Sequence, residues 1–419
     1  MNTPPTRLQR LRRRLTGGLA VVDPRQPIGP DDLFPGDEAV EVPRIVRFLA
    51  TDGSPHIGLV LRSNEGIPRT LLDLTARRGV APGLLDFVAA GGFDLAEQEL
   101  LAEDAAIDGP DRVVLERAEL SNRLLSPVDI DDVQLRGGAR LVVGFGLTYR
   151  SHREETAIPR AIVFPKPAAP TGAYAPVTGG ASGSGLELLD YELELGCVAL
   201  VDIDLDRLDR IDPVAHFGYL VVNDVSARGP ILRDRRTGYA RAKGRPTYLP
   251  AGPWLVPGKH FTRDAPSLRR MVLTVEETEP FTRESGDVHD CHTLRQNARL
   301  EDLTLGLHEL LALLARNRLL TMPGMDGRRW PISVHRDGRW LIPAGSLLLT
   351  GTPGGTAVRS PDATERLTLV RRSFRHLRWP SESYRRHLQY HHRHFGFLSP
   401  GDRVSGWITG LGRQDWTVQ

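Results

Sequence analysis

At 419 residues the chain is long enough for two domains and a substantial core. Its hydrophobic content of 40% and net charge of +2 describe an ordinary globular protein and argue against nucleic acid or a membrane surface as the main partner. Two cysteines exclude a disulfide framework and a thiolate metal site and fit a reducing cytoplasm, and no apolar run approaches the roughly 20 residues of a membrane span.

In chain order, residues 1–42 are rich in Arg, Pro and Asp without sustained periodicity. Basic residues ahead of Gly17-Gly18 faintly resemble a targeting peptide. The apolar part is short and soon meets Asp23 and Pro24, so a loosely attached basic tail is expected. Over residues 43–127, short alternating segments separated by Asp52-Gly53 and Asn64-Glu65-Gly66 predict strands and turns, with a helical stretch from Leu84 to Asp104. The expectation is a small β-rich N-terminal domain. Strand patterns then dominate residues 136–419, interrupted between Asp302 and Leu320 by leucines at helical spacing. Strands outnumber helices and do not alternate regularly with them, which predicts an α+β, β-rich fold and argues against a doubly wound sheet.

Residues 366–394 are dense in Arg, His and aromatics. His391-His392 and His394 invite a metal reading, but helical histidine ligands come at i and i+4 and no carboxylate or cysteine accompanies these. A basic, solvated insertion is expected. The alternatives are a cover for a site that takes a bulky anion, or contact with nucleic acid through arginine and aromatic side chains.

The chemistry concentrates in two strand-like stretches. In Asp190-Tyr191-Glu192-Leu193-Glu194-Leu195 the alternation of a strand places Glu192 and Glu194 on one side and Tyr191, Leu193 and Leu195 on the other. Adjacent carboxylates repel unless a cation neutralises them or one keeps a proton. Asp224 closes a following strand, and three hard oxygen ligands suit Mg²⁺ or Mn²⁺ better than zinc. The same spacing fits an exposed strand whose acidic face meets solvent, and spacing alone does not separate the two. Only three of the 54 basic residues are lysine, at 166, 243 and 259. Lysine is a compact charge that can give up its proton when buried, so Lys166 and Lys243 are candidates for chemistry. Lys259, in a Pro-Gly turn, is read as a surface residue. His152 has Glu155 three residues on, one helical turn away, as a general base or as an ordinary surface helix start. The glycine-rich stretch 179–185 lacks the Gly-Lys-Ser/Thr ending of a phosphate loop and is read as a connection.

Several motifs occur in one order: Gly144-Phe145-Gly146-Leu147-Thr148-Tyr149-Arg150-Ser151-His152, Phe164-Pro165-Lys166-Pro167, the acidic stretch 190–196 and Val221-Val222-Asn223-Asp224-Val225-Ser226-Ala227-Arg228-Gly229. Lys243 follows, ahead of Ala251-Gly252-Pro253-Trp254, then Thr350-Gly351-Thr352-Pro353, and finally Pro400-Gly401-Asp402 with Ile408-Thr409-Gly410-Leu411-Gly412. Together they resemble the fumarylacetoacetate hydrolase superfamily from about Arg140 to Gly412. The small N-terminal domain is similar to that of bacterial members, whereas the first forty residues and 366–394 fall outside the pattern.

The resemblance implies a fumarylacetoacetate hydrolase-type mixed β-roll catalytic domain over 136–419, assembled as a homodimer. It implies a divalent metal on Glu192, Glu194 and Asp224, with Mg²⁺ expected and Mn²⁺ or Ca²⁺ as alternatives; the stretch from Phe145 to Ser151, where some members carry a fourth carboxylate, holds no acid. His152, oriented by Glu155 (or, as the alternative, Glu154), and Lys243 are the implied catalytic residues, and Tyr149, Lys166, Arg228 and Thr352 the implied substrate-binding ones. The implied reaction is metal-dependent hydrolysis of a C–C bond in a small 1,3-dicarbonyl or acylpyruvate-type 2-oxo acid, through an enolate. Decarboxylation, isomerisation or dehydration of a 2-keto-3-deoxy sugar acid are alternatives on the same fold, and a non-catalytic scaffold is the alternative of another class.

Overall fold

The computed structural model describes residues 42–102, 109–179, 187–233, 238–262, 269–277, 292–324, 326–361, 363–376, 378–390 and 392–419. The expected basic tail, Cys291, His391 and all but Gly179 of the glycine-rich stretch lie outside them.

Near the N-terminus, β1 (Ile45–Leu49), β2 (Pro55–Asn64), β3 (Ile67–Asp73), β4 (Arg112–Val114) and β5 (Leu124–Leu125) form an antiparallel sheet in the order β4-β3-β2-β1-β5. The turn between β2 and β3 places Glu65 and Gly66 at φ 51° and 75°, the geometry that a two-residue hairpin needs to follow the strand twist. Alternation along the strands feeds two cores. Ile57, Leu59 and Leu72 pack with Phe87 of α1 (Leu84–Ala89) and Ala96 of α2 (Gly92–Ala102). Val46, Phe48, Val60 and Leu71 face the other way and join the core of the larger part of the molecule.

That larger part continues with β6 (Val142–Gly146), β7 (Ile162–Pro165), β8 (Thr171–Gly172), β9 (Leu193–Ala199), β10 (Phe217–Asn223), β11 (Pro250–Ala251) and β12 (Val256–Pro257). β13 (Arg270–Glu276), β14 (His292–Arg299), β15 (Leu347–Leu349), β16 (Arg403–Ile408) and β17 (Gly412–Thr417) complete the main strands. One mixed sheet runs β7-β6-β15-β9-β10-β11-β8, with β12 also paired to β10. Its central strands β9 and β10 are buried along their whole length, which explains their almost unbroken apolar sequences. A second, antiparallel sheet, β14-β13-β16-β17, covers the face that carries Leu193 and Leu195 with Met271, Leu273, Val404 and Ile408. The fold is therefore mixed α+β and sheet-rich, as expected.

The longer helices of this part are α3 (Arg150–Thr156), α4 (Arg228–Arg233), α5 (Gly238–Lys243), α6 (Leu307–Arg316), α7 (Ala363–His376) and α8 (Pro380–Tyr390). α6 realises the leucine periodicity, burying Leu310, Leu311 and Leu314. α7 and α8 contain most of the stretch expected to be a solvated insertion; most of α7 is exposed, but the pair also buries one apolar stripe. Leu369, Tyr384 and Leu388 are buried against Leu188, Ala357 and Phe397, and α8 packs on α4. Arginines and histidines at intervening positions hid this apolar stripe. Lys259 is at the surface as expected, paired with Asp94 and Glu97.

Asp415 on β17 ties the two parts together, receiving Arg117 at 2.8 Å from the N-terminal part and Arg403 at 2.5 Å from β16. Burial alone would raise its pKa, but hydrogen bonds from Arg403 and the charges of Arg413 and Arg117 outweigh it and hold the carboxyl below its usual range. A depressed carboxyl contributes stability that is present above its unfolded pKa of about 4 and is lost as pH falls through its folded value. Asp415→Asn is expected to destabilise the fold by about 2 kcal/mol at pH 7, less than for a fully enclosed pair because both arginines reach solvent. The difference from wild type, read by urea unfolding, should shrink as pH drops below about 4.

Candidate active site and metal centre

β9 and β10 pair antiparallel with Leu193 opposite Asn223 and Glu194 opposite Val222, and Asp224 N–H donates to Glu192 O at 2.8 Å. Opposed residues share a face, so Glu192, Glu194 and Asp224 end on one side of the sheet. Further along the same side come Gly196, Val198, Leu220 and Val222, apolar and buried. A carboxylate oxygen from each of the three lies within 4.8 Å of the others, and all three residues are buried. The solvent-exposed alternative for this acidic face is thereby excluded.

Charge around them is only partly balanced. Arg228 donates to Asp190 at 2.8 Å and to Glu192 at 2.5 Å. Lys243 Nζ lies 2.5 Å from both Glu192 Oε2 and Asp224 Oδ2 and donates to Ser226 Oγ at 2.7 Å. Lys166 Nζ is 2.6 Å from Asp224 Oδ1 and donates to Val225 O at 3.2 Å. Four buried carboxylates thus face three cations, and the surplus falls on Glu194, which accepts the Gly351 N–H at 2.7 Å. Burial, then the charges of Asp224 and Glu192, raises the Glu194 carboxyl well above its usual range. For Glu192 the same burial is overcome by Arg228 and Lys243, which hold it ionised. Burial pushes Lys166 down to about 8 against the pull of Asp224, whereas Asp224 and Glu192 overcome burial for Lys243 and raise it. Asp224 Oδ1 also lacks a well-directed hydrogen bond despite its ion pair. Three hard oxygen donors with one uncompensated charge fit a divalent cation.

His152 sits on α3 and is buried, with Nδ1 3.4 Å from Glu155 Oε2. The predicted i, i+3 pair therefore exists, while Glu154 is exposed. Glu155 is itself fixed: its Oε1 accepts Gly355 N–H at 2.6 Å, and Ser151 Oγ accepts Gly354 N–H at 2.9 Å. Gly355 has φ +102° and a Cβ there would lie 1.9 Å from Arg295 O, so only glycine lets this loop pass so close to β14. His152, Glu192, Glu194, Arg228, Lys243 and Thr352 all line one cavity of about 510 Å³.

Two of the expected substrate contacts are placed elsewhere. Tyr149 is fully buried and its hydroxyl donates to Met271 Sδ at 3.2 Å, because as the cap of α3 it turns into the core between the sheets. Lys166 is wholly enclosed behind Asp224 and supports the carboxylates from the side away from the cavity wall. Thr352 reaches the wall, but its hydroxyl donates to Leu193 O at 3.0 Å and accepts Gln296 Nε2 at 2.7 Å. Sequence reading missed Asp190, which anchors Arg228 and accepts the N–H groups of Ala357 and Val358 at 2.9 and 3.2 Å. It also missed Gln296, whose Oε1 accepts the Leu193 N–H at 3.0 Å. Asp190 stood beside the acidic pair as a visible signal; Gln296 gave none. Gly351, inside the quoted Thr-Gly-Thr-Pro motif, has φ +98°, and a Cβ there would lie 2.0 Å from Thr148 Oγ1.

Removing the surplus charge should stabilise the metal-free protein. Glu194→Gln is expected to raise its unfolding free energy by about 1–2 kcal/mol and to abolish the rise in melting temperature that saturating Mg²⁺ or Mn²⁺ gives wild type. Gly351→Ala should cost about 2 kcal/mol or more and weaken metal binding through the displaced N–H, as read by thermal shift and calorimetry.

Residues 141–419 match the family model described as fumarylacetoacetate (FAA) hydrolase C-terminal. No curated protein matches the chain. Among solved structures, a fumarylacetoacetate hydrolase from the psychrophile Exiguobacterium antarcticum is similar at 19% identity and a TM-score of 0.54, covering 90% of this chain and 99% of that one. A protein named HpcE from Mycobacterium smegmatis is similar at 19% identity and a TM-score of 0.53, covering 90% and 98%. At such identities the likeness speaks for the fold, while the family match spans most of the chain. The chain belongs to the fumarylacetoacetate hydrolase family.

Proposed function

We propose that the protein is a metal-dependent hydrolase that cleaves the C–C bond between the acyl carbonyl and the neighbouring CH₂ of an acylpyruvate-type 2,4-dioxo acid. The observation that carries this reading is the His152–Glu155 pair facing the same cavity as the buried carboxylates of Glu192 and Glu194. Isomerisation alone needs no activated water, so a carboxylate-oriented imidazole at this position favours hydrolysis. Glu192, Glu194 and Asp224 would hold the ion, with Mg²⁺ or Mn²⁺ preferred for an all-oxygen donor set. A divalent ion held there supplies Lewis acidity toward adjacent oxygens of the substrate.

The side chains divide the remaining work. Glu155 accepts from His152 Nδ1, which leaves Nε2 as the base that takes a proton from water. Hydroxide adds to the acyl carbonyl, the bond to the neighbouring CH₂ breaks, and its electron pair stays on the pyruvate fragment. The proton on His152 Nε2 returns to that carbon, giving pyruvate and a carboxylic acid and consuming one water. Lys243, already bridging Glu192 and Asp224, adds positive charge where the departing fragment becomes anionic. Packing of α3 against the loop 354–360 shields these steps from bulk water. A homodimer is part of this reading, by family likeness.

With Mg²⁺ and acetylpyruvate, NMR is expected to show pyruvate and acetate in equal amounts. His152→Ala should lower kcat by about 10²–10⁴ while leaving metal binding in place, and Glu155→Gln should produce a smaller loss with a shifted pH profile. Turnover of a 2-oxo diacid to CO₂, or no metal-dependent turnover of any dioxo acid, would replace this assignment.

A further inference from the structure

The cavity extends well beyond the charged floor. Its far half is walled by Ile162 and Phe164 from β7, Ile231 from α4, and Leu369, Val370 and Pro380 from the helical pair α7 and α8. This pair is the stretch of chain that stands outside the family motifs. Its inner face is held by the apolar cluster around Leu388 and by the buried hydrogen bond from Ser373 Oγ to Ser383 Oγ at 2.9 Å. A volume of about 510 Å³ is far more than a three-carbon oxo acid fills.

Several polar groups on this upper wall are bonded to the protein itself. Both terminal nitrogens of Arg359 bind Glu365, at 3.1 and 2.9 Å, and its guanidinium lies over the Phe395 ring. Tyr384 donates to Arg359 O, Ser360 Oγ to Thr156 O at 2.7 Å, and Thr156 Oγ1 to His152 O at 3.0 Å. Arg366 stands exposed at the rim, with Nε donating to Pro361 O at 2.8 Å. Arg359 and Arg366 both border the cavity, but apolar side chains make up most of its wall.

Resting on the proposed chelation of the oxo-acid head, we infer that α7 and α8 form a specificity roof and that the natural substrate carries a large, uncharged apolar arm, aliphatic or aromatic, on its acyl side. Binding of straight-chain 2-oxo acids from four to eight carbons to the full chain in saturating Mg²⁺, measured by calorimetry, tests this without turnover. Affinity should rise about threefold to fourfold per added methylene, and 2-oxooctanedioate should bind at least tenfold more weakly than 2-oxooctanoate. Val370→Asp, at a half-open position that tolerates change, and Leu369→Ala should both flatten this dependence on chain length. Metal-dependent binding with no dependence on length, tighter binding of the dioate, or an unchanged slope in both variants would overturn the roof while leaving the chelating head intact. Failure of every oxo acid to bind in a metal-dependent way would instead overturn the head, and this inference with it.

Discussion

Buried like charge is the constraint around which this molecule is organised. Two central strands, apolar along nearly all of their length, deliver three buried carboxylates to the same sheet face at the floor of the cavity. Such a cluster is tenable only when cations, directed N–H groups and retained protons offset its self-repulsion. Much of the surrounding structure answers that requirement. Lys166 closes Asp224 from behind, Lys243 spans Glu192 and Asp224, Arg228 spans Asp190 and Glu192, and Gly351 offers its N–H to Glu194. These groups leave Glu194 without an ion-pair partner of its own among the described residues, and that imbalance is what makes the centre fit a divalent ion.

The same requirement links the site to the distant parts of the chain. Asp190 holds Arg228 and also accepts two N–H groups from Ala357 and Val358, so the loop that presses on α3 is registered against the acidic strand. Through Gly354 and Gly355 that loop fixes Ser151 and Glu155, and through Glu155 it orients His152. His152 and the acidic strand are thus linked by one continuous set of hydrogen bonds from Asp190 to the loop and back to α3. α7 and α8 begin directly after this loop, which explains how they come to lie over the cavity.

Lysine usage illustrates how composition can carry structural information. In a chain that otherwise uses arginine, two of the three lysines are fully enclosed at the carboxylate cluster, and the third pairs at the surface. A compact ammonium fits between two carboxylates whose separation is fixed by strand spacing, whereas a planar guanidinium suits the wider span from Asp190 to Glu192 that Arg228 bridges. Lys243 also lies 5.1 Å from the centre of the Phe164 ring, so the same cation borders the apolar half of the cavity.

The sequence by itself determined the alternation that puts Glu192 and Glu194 on one face, the helical offset of His152 and Glu155, the leucine helix, the hairpin turn at Glu65-Gly66 and the ordered motifs of the family. All of these are local: they follow from a period of two or 3.6 residues, or from short strings of residues. Only the tertiary structure decided that Asp224 joins the glutamates, because that depends on the register between β9 and β10. It also decided that Tyr149 turns inward to Met271, that Gln296 supports Leu193 from more than a hundred residues away, and that the arginine-rich stretch 366–394 hides an apolar stripe over the cavity. Side-chain direction at a helix cap, long-range backbone partners and the choice between solvent and a neighbouring wall are all set by what packs alongside, and no local pattern encodes that.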